Sequence, residues 1–377
     1  MKEIRIFLAG GGTGGATAPV LAVAEELANL NRNIKFYLIG NDGVDKKMID
    51  KFALPIRYLS IPAGKWRRYF SLRNVWDVFK TAAGFLKSLY LIRKLKPDVI
   101  FGAGSFVQVP LAWAGFVARI PVVIHQQDFD LLLSTRLVAP IARRITTSFS
   151  YSERQIPDFS GMFRKIKKSK VSFTGNPVRP DVLGGTKDEA RKIFGLNADY
   201  PTILVMGGSS GSRKINETVQ SALPELVKYV QVIHAKGRNG GKGSKGDKFA
   251  HPHYHPYEFL QDDLKHAYAA ADLVVCRGGM STITELSALG KPAVVIPLPG
   301  SPQETNGDLL AFTKSAIVVM ESLLTGDLLV EIVRKSLWNQ DIMNTISRNV
   351  RQLMPDDGGK KIAKIILKVY EQHGKTS

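Results

Sequence analysis

Cysteine is nearly missing: Cys276 is the single one in 377 residues. That excludes an intramolecular disulfide and points to a reducing compartment. Long apolar runs are missing too. The best stretch, PLAWAGFVARIPVVI, is broken by Arg119, so no membrane-spanning helix is expected. The opening MKEIRIFLA holds an apolar run too short for a secretory leader and enters glycines instead of a cleavage site, so a cytoplasmic chain is expected. Acidic residues are scarce, 33 against 52 Lys and Arg, which leaves a formal charge of +19. Such a field attracts nucleic acid, anionic lipid surfaces or phosphorylated substrates, and does not choose among them. The paired aspartates at 262–263 and 356–357 lie in or beside turns with no obvious partner, and do not read as metal ligands.

What is present is an alternation of strand and helix. At this length the chain is too long for one ordinary core, and it suggests two domains. Residues 4–9 (IRIFLA) read as a buried strand. GGGTGG (10–15) follows, then a helix from about Pro19 to Leu30, with Pro19 suited to the first turn. IKFYLIG (34–40), DVIFGAGS (98–105) and PVVIHQQD (121–128) are further strands, the last two ending in glycines and in polar residues. VSFTGNPVRPDV (171–182) reads as a hinge, after which TILVMGGSSGSRKINETV (202–219) repeats the opening plan of strand, glycine turn and helix. Two halves that begin alike predict two nucleotide-fold α/β domains with parallel sheets facing one another. KGRNGGKGSKGDK (236–248) is a glycine- and lysine-rich loop. The last helix, about 360–372, carries apolar Ile362, Ile365, Ile366 and Val369 on one side, and must pack on something.

The most informative stretch is 272–306. Strand Leu273 to Cys276, turn Gly278–Gly279 and helix Ser281 to Leu289 precede a second strand, Ala293 to Pro297, with Gly290 and Pro292 stopping the helix. A helix start behind a glycine turn offers unpaired N–H groups and the positive end of the helix dipole, which suits a phosphate. Glu285, one turn in, suits two sugar hydroxyls. Thr282-x-x-Glu285 also fits a capping box, in which the glutamate bonds back to the backbone. Gly10-x-Gly12-x-x-Gly15 matches a dinucleotide fingerprint, but the acidic residue that should hold a ribose is displaced to Asp42, so nicotinamide binding is a partial match. In Gly207–Gly211, Ser209 and the backbone N–H groups suit a phosphate oxygen. His251, His253 and His255 alternate; a metal site competes there with a solvated strand and loop.

GGGTGG at 10, HQQD at 125, TGNPVR at 174, GGSSGS at 207, EFLQDDL at 258, CRGGMSTITEL at 276 and PQETN at 302 occur in the order and spacing of the MurG family. The chain resembles that family from end to end. The resemblance implies a GT-B fold with an acceptor- and membrane-binding domain, 1–176 plus a returning helix at about 355–377, and a UDP-sugar domain at 177–354. It implies inverting transfer of N-acetylglucosamine from UDP-GlcNAc to lipid I, a polyprenyl-pyrophosphate-linked muramyl acceptor. The product is lipid II of peptidoglycan synthesis, made without a cofactor or catalytic metal, at the cytoplasmic face of the plasma membrane. By the same resemblance Arg179 and Ser209 contact UDP, and the backbone at Leu260 reads uracil. Met280, Ser281 and Thr282 face the diphosphate, Glu285 takes the ribose, and Gln303 and Asn306 hold the donor sugar. Thr13, Gly14, Gly15, Gly102 and Gly104 line the acceptor pyrophosphate side.

Two departures stand out. Ala16 replaces the histidine that usually follows GGTGG, and the usual HEQN reads His125-Gln126-Gln127-Asp128. An inverting transfer needs a base near the attacking hydroxyl, and Asp128 and His125 are the candidates. The departures leave room for a related transferase with another polyprenyl-linked acceptor. An oxidoreductase and a basic nucleic-acid-binding protein are the readings from other classes; no nucleic-acid motif accompanies the charge. Between 65 and 96, Trp66, Phe70, Trp76 and Phe79 mix with Arg67, Arg68 and Arg73. Aromatics at helical spacing commonly mark core, but an apolar face edged by cations suits an anionic membrane surface. The family resemblance favours the membrane.

Overall fold

The structure is a computed structural model. It describes the chain apart from residues 1–2, 12–13, 32, 42–45, 47–48, 50–51, 53, 65–71, 151–165, 209, 238–248 and 375–377, and apart from the side chains of 14 and 72–75. The chain divides into two compact units, Met1–Val178 with Pro355–Ser377, and Arg179–Met354.

The first unit holds β1 (Ile4–Ala9), β2 (Ile34–Gly40), β3 (Ile56–Ser60), β4 (Val99–Gly102), β5 (Val122–Gln126), β6 (Arg144–Thr147) and β7 (Val171–Phe173). They form one parallel sheet in the order β3-β2-β1-β4-β5-β6-β7, with Ile6 beside both Phe36 and Val99. Helices cover both faces, so the central strands are mostly apolar and buried and do not alternate. One face packs α1 (Gly14–Leu30) and the C-terminal helix (Gly358–Gly374), burying Leu8, Val20, Leu27, Phe101, Ile362 and Ile366 in one cluster. The other packs α2 (Leu72–Leu95), α3 (Gln108–Val117) and α4 (Leu133–Val138), around Phe7, Ile39, Ile100, Leu111 and Ile124. The expected start of the first helix at Pro19 was late, because α1 begins at Gly14 and holds Pro19 inside it. A proline there forfeits only its own bond to a carbonyl four residues back, in a stretch of Gly and Ala whose small side chains leave the ring room.

The second unit repeats the plan with β8 (Thr202–Met206), β9 (Gln231–Ala235), β10 (Tyr254–Tyr257), β11 (Leu273–Cys276), β12 (Ala293–Val295) and β13 (Ile317–Val318). The order is β10-β9-β8-β11-β12-β13, again parallel. Its helices are α5 (Lys187–Phe194), α6 (Arg213–Leu226), α7 (Leu264–Ala270), α8 (Met280–Leu289), α9 (Gln303–Phe312), α10 (Gly326–Leu337) and α11 (Gln340–Arg351). Local signals set their ends. The Thr186 and Ser212 hydroxyls accept from Glu189 and Ile215 N–H to cap α5 and α6, and Gly290 closes α8 in the left-handed conformation at φ 63°. In each sheet the strand order reverses beside the first strand of its unit. Ligands of such folds bind beyond the carboxyl ends at that point.

Among the described residues no helix is long and apolar enough to cross a membrane. On α2, Trp76 and Phe79 are 69% and 64% exposed, with Leu86 and Tyr90 also exposed, so this aromatic helix is not core along that side.

Candidate functional site

In the second unit the carboxyl end of β11 runs through Arg277, Gly278 and Gly279 into α8. Gly279 is the N-cap and no side chain caps the helix. Ile283 N–H is the first of its turn to bond back, to Gly279 O at 3.0 Å, so the N–H groups of Met280, Ser281 and Thr282 lie ahead of the ladder. Gln303 and Asn306 stand beside this turn. Asn306 Nδ2 donates to Gly278 O at 3.2 Å, and Gln303 Oε1 accepts from Leu298 N–H at 3.1 Å.

Glu285 lies deeper on α8, nearly buried. Its Oε1 accepts from Arg179 Nε at 3.1 Å and Nη2 at 2.7 Å, and its Oε2 accepts from the Tyr268 hydroxyl at 2.7 Å. With Gly279 as N-cap, Thr282 is not the capping residue, and the carboxylate goes to side chains instead of the backbone; the capping-box reading is therefore corrected. A carboxylate has about four acceptor directions. Three are taken, so in this state Glu285 has room for one further hydroxyl, not two. Burial pulls the Arg179 guanidinium down, but the Glu285 and Asp181 carboxylates outweigh it and raise it above its ordinary value. Burial, then the Glu285 charge, push the Tyr268 phenol well up and the Cys276 thiol up to about 12. The lone cysteine is therefore an inert, neutral wall of this site.

Sequence reasoning passed over two residues here. Arg277 donates through Nη2 to Ser212 Oγ at 2.7 Å and through Nη1 to Ile296 O and Pro297 O at 3.3 Å each, and it is ion-paired with Glu321. It thereby ties together the loops after β8, β11, β12 and β13. Its place directly after β11 was a usable signal. Tyr268 gave none, since nothing in its own helix announces a carboxylate 17 residues on. The loop after β8 turns at Gly211, φ 80°, where a Cβ would stand 2.2 Å from Lys236 O; only glycine fits. Ser209 falls outside the described residues. Leu260, beyond β10, is buried.

The carboxyl end of the first unit's sheet is built from amides. Gln108 Oε1 accepts from Gly104 N–H at 3.0 Å, the Ser134 hydroxyl donates to Gly104 O at 2.7 Å, and Gln127 Nε2 donates to Ala103 O at 2.6 Å. Gln126 Nε2 donates to both Asp128 O and Asp130 O, at 2.8 and 2.7 Å, two donations to carbonyls that the usual glutamate cannot make when ionised. Buried Gln108 Nε2, Gln126 Oε1 and Thr135 Oγ1 have no hydrogen-bond partner among the described residues. Asp128 is partly exposed.

His125 is enclosed. Its Nε2 donates to Asn176 Oδ1 at 2.8 Å and its Nδ1 faces Thr146 Oγ1 at 2.9 Å, while burial pulls it down to about 4 despite the Asn176 bond. Both nitrogens are engaged and neither is exposed, so in this state His125 presents no free nitrogen for the expected role of base. Gly15 is exposed at the start of α1, and Gly14 opens that helix. Thr13, Trp66, Arg67, Arg68 and Phe70 lie outside the described residues, as does the Arg73 side chain.

Two of the three alternating histidines are spent locally, while His255 Nε2 is buried without a hydrogen-bond partner among the described residues. His251 Nδ1 accepts from His253 N–H at 3.1 Å, and His253 Nδ1 donates to Val227 O at 2.9 Å. Among the described residues no group of three or more His, Cys, Asp or Glu is arranged for a metal ion. A cavity of about 490 Å³ opens at the opposite, amino-terminal ends of the second sheet, lined by Lys187, Arg191, Tyr200, Gln231, Asp272 and Asn344; it holds none of the expected site residues.

Two parallel sheets of this topology, each with a helix start at its carboxyl ends, define a GT-B glycosyltransferase fold. The model of the glycosyltransferase family 28 N-terminal domain matches residues 6–147, and that of its C-terminal domain matches 202–361. The chain belongs to glycosyltransferase family 28. It is 35% identical to UDP-N-acetylglucosamine--N-acetylmuramyl-(pentapeptide) pyrophosphoryl-undecaprenol N-acetylglucosamine transferase 3 of Bacillus thuringiensis, over 90% of this chain and 94% of that one. It is 34% identical to the correspondingly named transferase of Lachnoclostridium phytofermentans, over 97% and 99%. The crystal structure of Acinetobacter baumannii MurG shares the fold with a TM-score of 0.69 at 22% identity, over 97% and 99% of the two chains. The resemblance read from seven motifs is borne out.

Proposed function

We propose that this chain transfers N-acetylglucosamine from UDP-GlcNAc to the C4 hydroxyl of the muramyl unit of lipid I, forming lipid II in peptidoglycan synthesis. The observation that carries this reading is the uncapped start of α8 above the Arg179–Glu285 pair, in a chain related to such transferases over nearly its full length. The acceptor oxygen bonds to the anomeric carbon as the bond from that carbon to the β-phosphate oxygen breaks, inverting the centre. Negative charge gathers on UDP, where the fixed N–H groups of Met280, Ser281 and Thr282 and the charge of Arg179 stabilise it. Glu285 accepts from the ribose, the Leu260 backbone reads uracil, and Gln303 and Asn306 hold the sugar. Ser209 adds a phosphate contact. Gly102, Gly104, Thr13, Gly14 and Gly15 cradle the acceptor pyrophosphate. Asp128 takes the hydroxyl proton.

The first unit is the acceptor and membrane unit, and the second binds the donor. The exposed aromatics of α2, with Arg73 and residues 65–71, dock on anionic lipid at the cytoplasmic face, where a polyprenyl acceptor lies. The decisive experiment is transfer from labelled UDP-GlcNAc to a short-chain lipid I analogue, beside a thermal-shift panel of UDP, UDP-GlcNAc, UDP-Gal and NAD. Lipid II formation with stabilisation by uridine nucleotides is expected. No transfer and stabilisation by NAD alone would overturn it. Near wild-type turnover of Asp128→Asn would remove Asp128 as base.

The amide-lined end of the first unit favours one variant of this reading. Gln126 and Asp128, with Ala16, alter the acceptor side and leave the donor side untouched. Transfer to a different polyprenyl-linked sugar, tested in parallel, measures how far acceptor choice has moved.

A further inference from the structure

We infer that Tyr268 is a positioning residue for donor recognition, holding the Glu285 carboxylate in place when the nucleotide draws Arg179 away. It rests on the proposed reading of Glu285 as ribose acceptor.

The geometry leads there in three steps. Arg179 spends two N–H groups on one oxygen, Glu285 Oε1, and its Nη1 stands 3.5 Å from Asp181, with the side chain 30% exposed. It is the more exposed partner, 30% against 6% for Glu285, and stands just before a short 3-10 turn at the start of the unit. A diphosphate offers it stronger acceptors in bidentate geometry, so the guanidinium exchanges carboxylate for phosphate as the donor binds. Glu285, released from Arg179, would then be a nearly buried carboxylate on a three-bond stem, free to rotate. Tyr268 prevents that. Its ring is fully buried in α7, its hydroxyl donates to Oε2 at 2.7 Å, and among the described residues no other bond holds that oxygen. The exchange empties Oε1 toward the ribose while Oε2 stays anchored. The carboxylate passes from room for one hydroxyl to room for the pair, without changing direction.

The test compares UDP with 2′,3′-dideoxy-UDP by calorimetry on the full chain. Wild type is expected to prefer UDP by about tenfold or more, the usual size of a hydrogen bond to a charged group. Tyr268→Phe should weaken UDP about five- to tenfold and leave the dideoxy nucleotide unchanged, because only the hydroxyl contacts depend on the phenol. In the Glu285→Gln background the same change should add nothing. In transfer assays, Tyr268→Phe should raise KM for UDP-GlcNAc with kcat within about twofold, the mark of lost ground-state binding.

The unchanged dideoxy affinity shows that the variant is folded. Equal weakening of both nucleotides would make Tyr268 a packing residue and overturn the inference. If wild type prefers UDP and Tyr268→Phe does so equally, the inference falls alone. If wild type does not distinguish the two nucleotides, the ribose role of Glu285 falls and takes this inference with it.

Discussion

The carboxyl ends of the two sheets share a topology and carry opposite chemistry. In the second unit the groups are ionic and matched to one another: Arg179 with Glu285, Arg277 with Glu321, and a phenol on the remaining carboxylate oxygen. In the first unit the buried groups are neutral, with Gln108, Gln126 and Gln127 bonding to backbone and His125 to a hydroxyl and the Asn176 amide. The difference follows from what each end is proposed to meet. A leaving diphosphate gains charge during the reaction, so fixed ions and dipoles repay it most. A sugar hydroxyl and a pyrophosphate already charged need shape and orientation, which amides supply without a desolvated ion.

The largest effect that tests this contrast is on the ionic end. Arg179→Gln removes the cation and leaves a nearly buried carboxylate, and kcat/KM for UDP-GlcNAc should fall about a hundred- to thousandfold. A loss under about tenfold would mean that the ionic end does not serve the leaving group.

The neutral end should show itself in acid. His125 is held near 4 in the fold against 6.5 ordinarily. Below pH 6.5 the unfolded chain takes up a proton that the folded chain refuses, so stability is intact above 6.5 and drains away as the pH drops toward 4. The total is about 3 kcal/mol. Urea unfolding at pH 7 and pH 4.5 should show this slope, and His125→Gln should flatten it.

Gln126→Glu sharpens the contrast further by putting a carboxylate where two carbonyls are received. It should cost about 2 kcal/mol at pH 8, and less at pH 5, where the protonated acid donates once. Melting temperatures that fall together at both pH values would show that the amide is not needed as a donor. The smallest stability effect belongs to the exposed side of α2. Trp76→Ser should change stability by less than about 0.5 kcal/mol, yet weaken sedimentation with anionic liposomes. Unchanged sedimentation would remove Trp76 from the docking face.

Regular elements were legible because each carries its own signal. The strands at 4–9, 34–40 and 273–276 are apolar runs bounded by turn residues, and Gly290 ends α8 where a left-handed residue is required. The start of α1 was misread because Pro19 looks like a first-turn residue although it sits one turn inside. Arg179 and Glu285 were each singled out, but not that they meet across 106 residues, since contact at that separation has no local trace. The same holds for Tyr268, and for the Asn176 bond that occupies His125 Nε2.

The chain enters and leaves its second unit by neighbouring segments: a Cβ on Gly175 would stand 2.6 Å from Pro355 O, and one on Gly358 2.9 Å from Asn176 O. The second unit is thus one uninterrupted piece of sequence, whereas the first waits for Ile362, Ala363, Ile366 and Val369 to complete the layer over α1. On the ribosome the second unit has its whole hydrophobic interior before the first does. The first unit stays unfinished until Ile362 to Val369 have emerged.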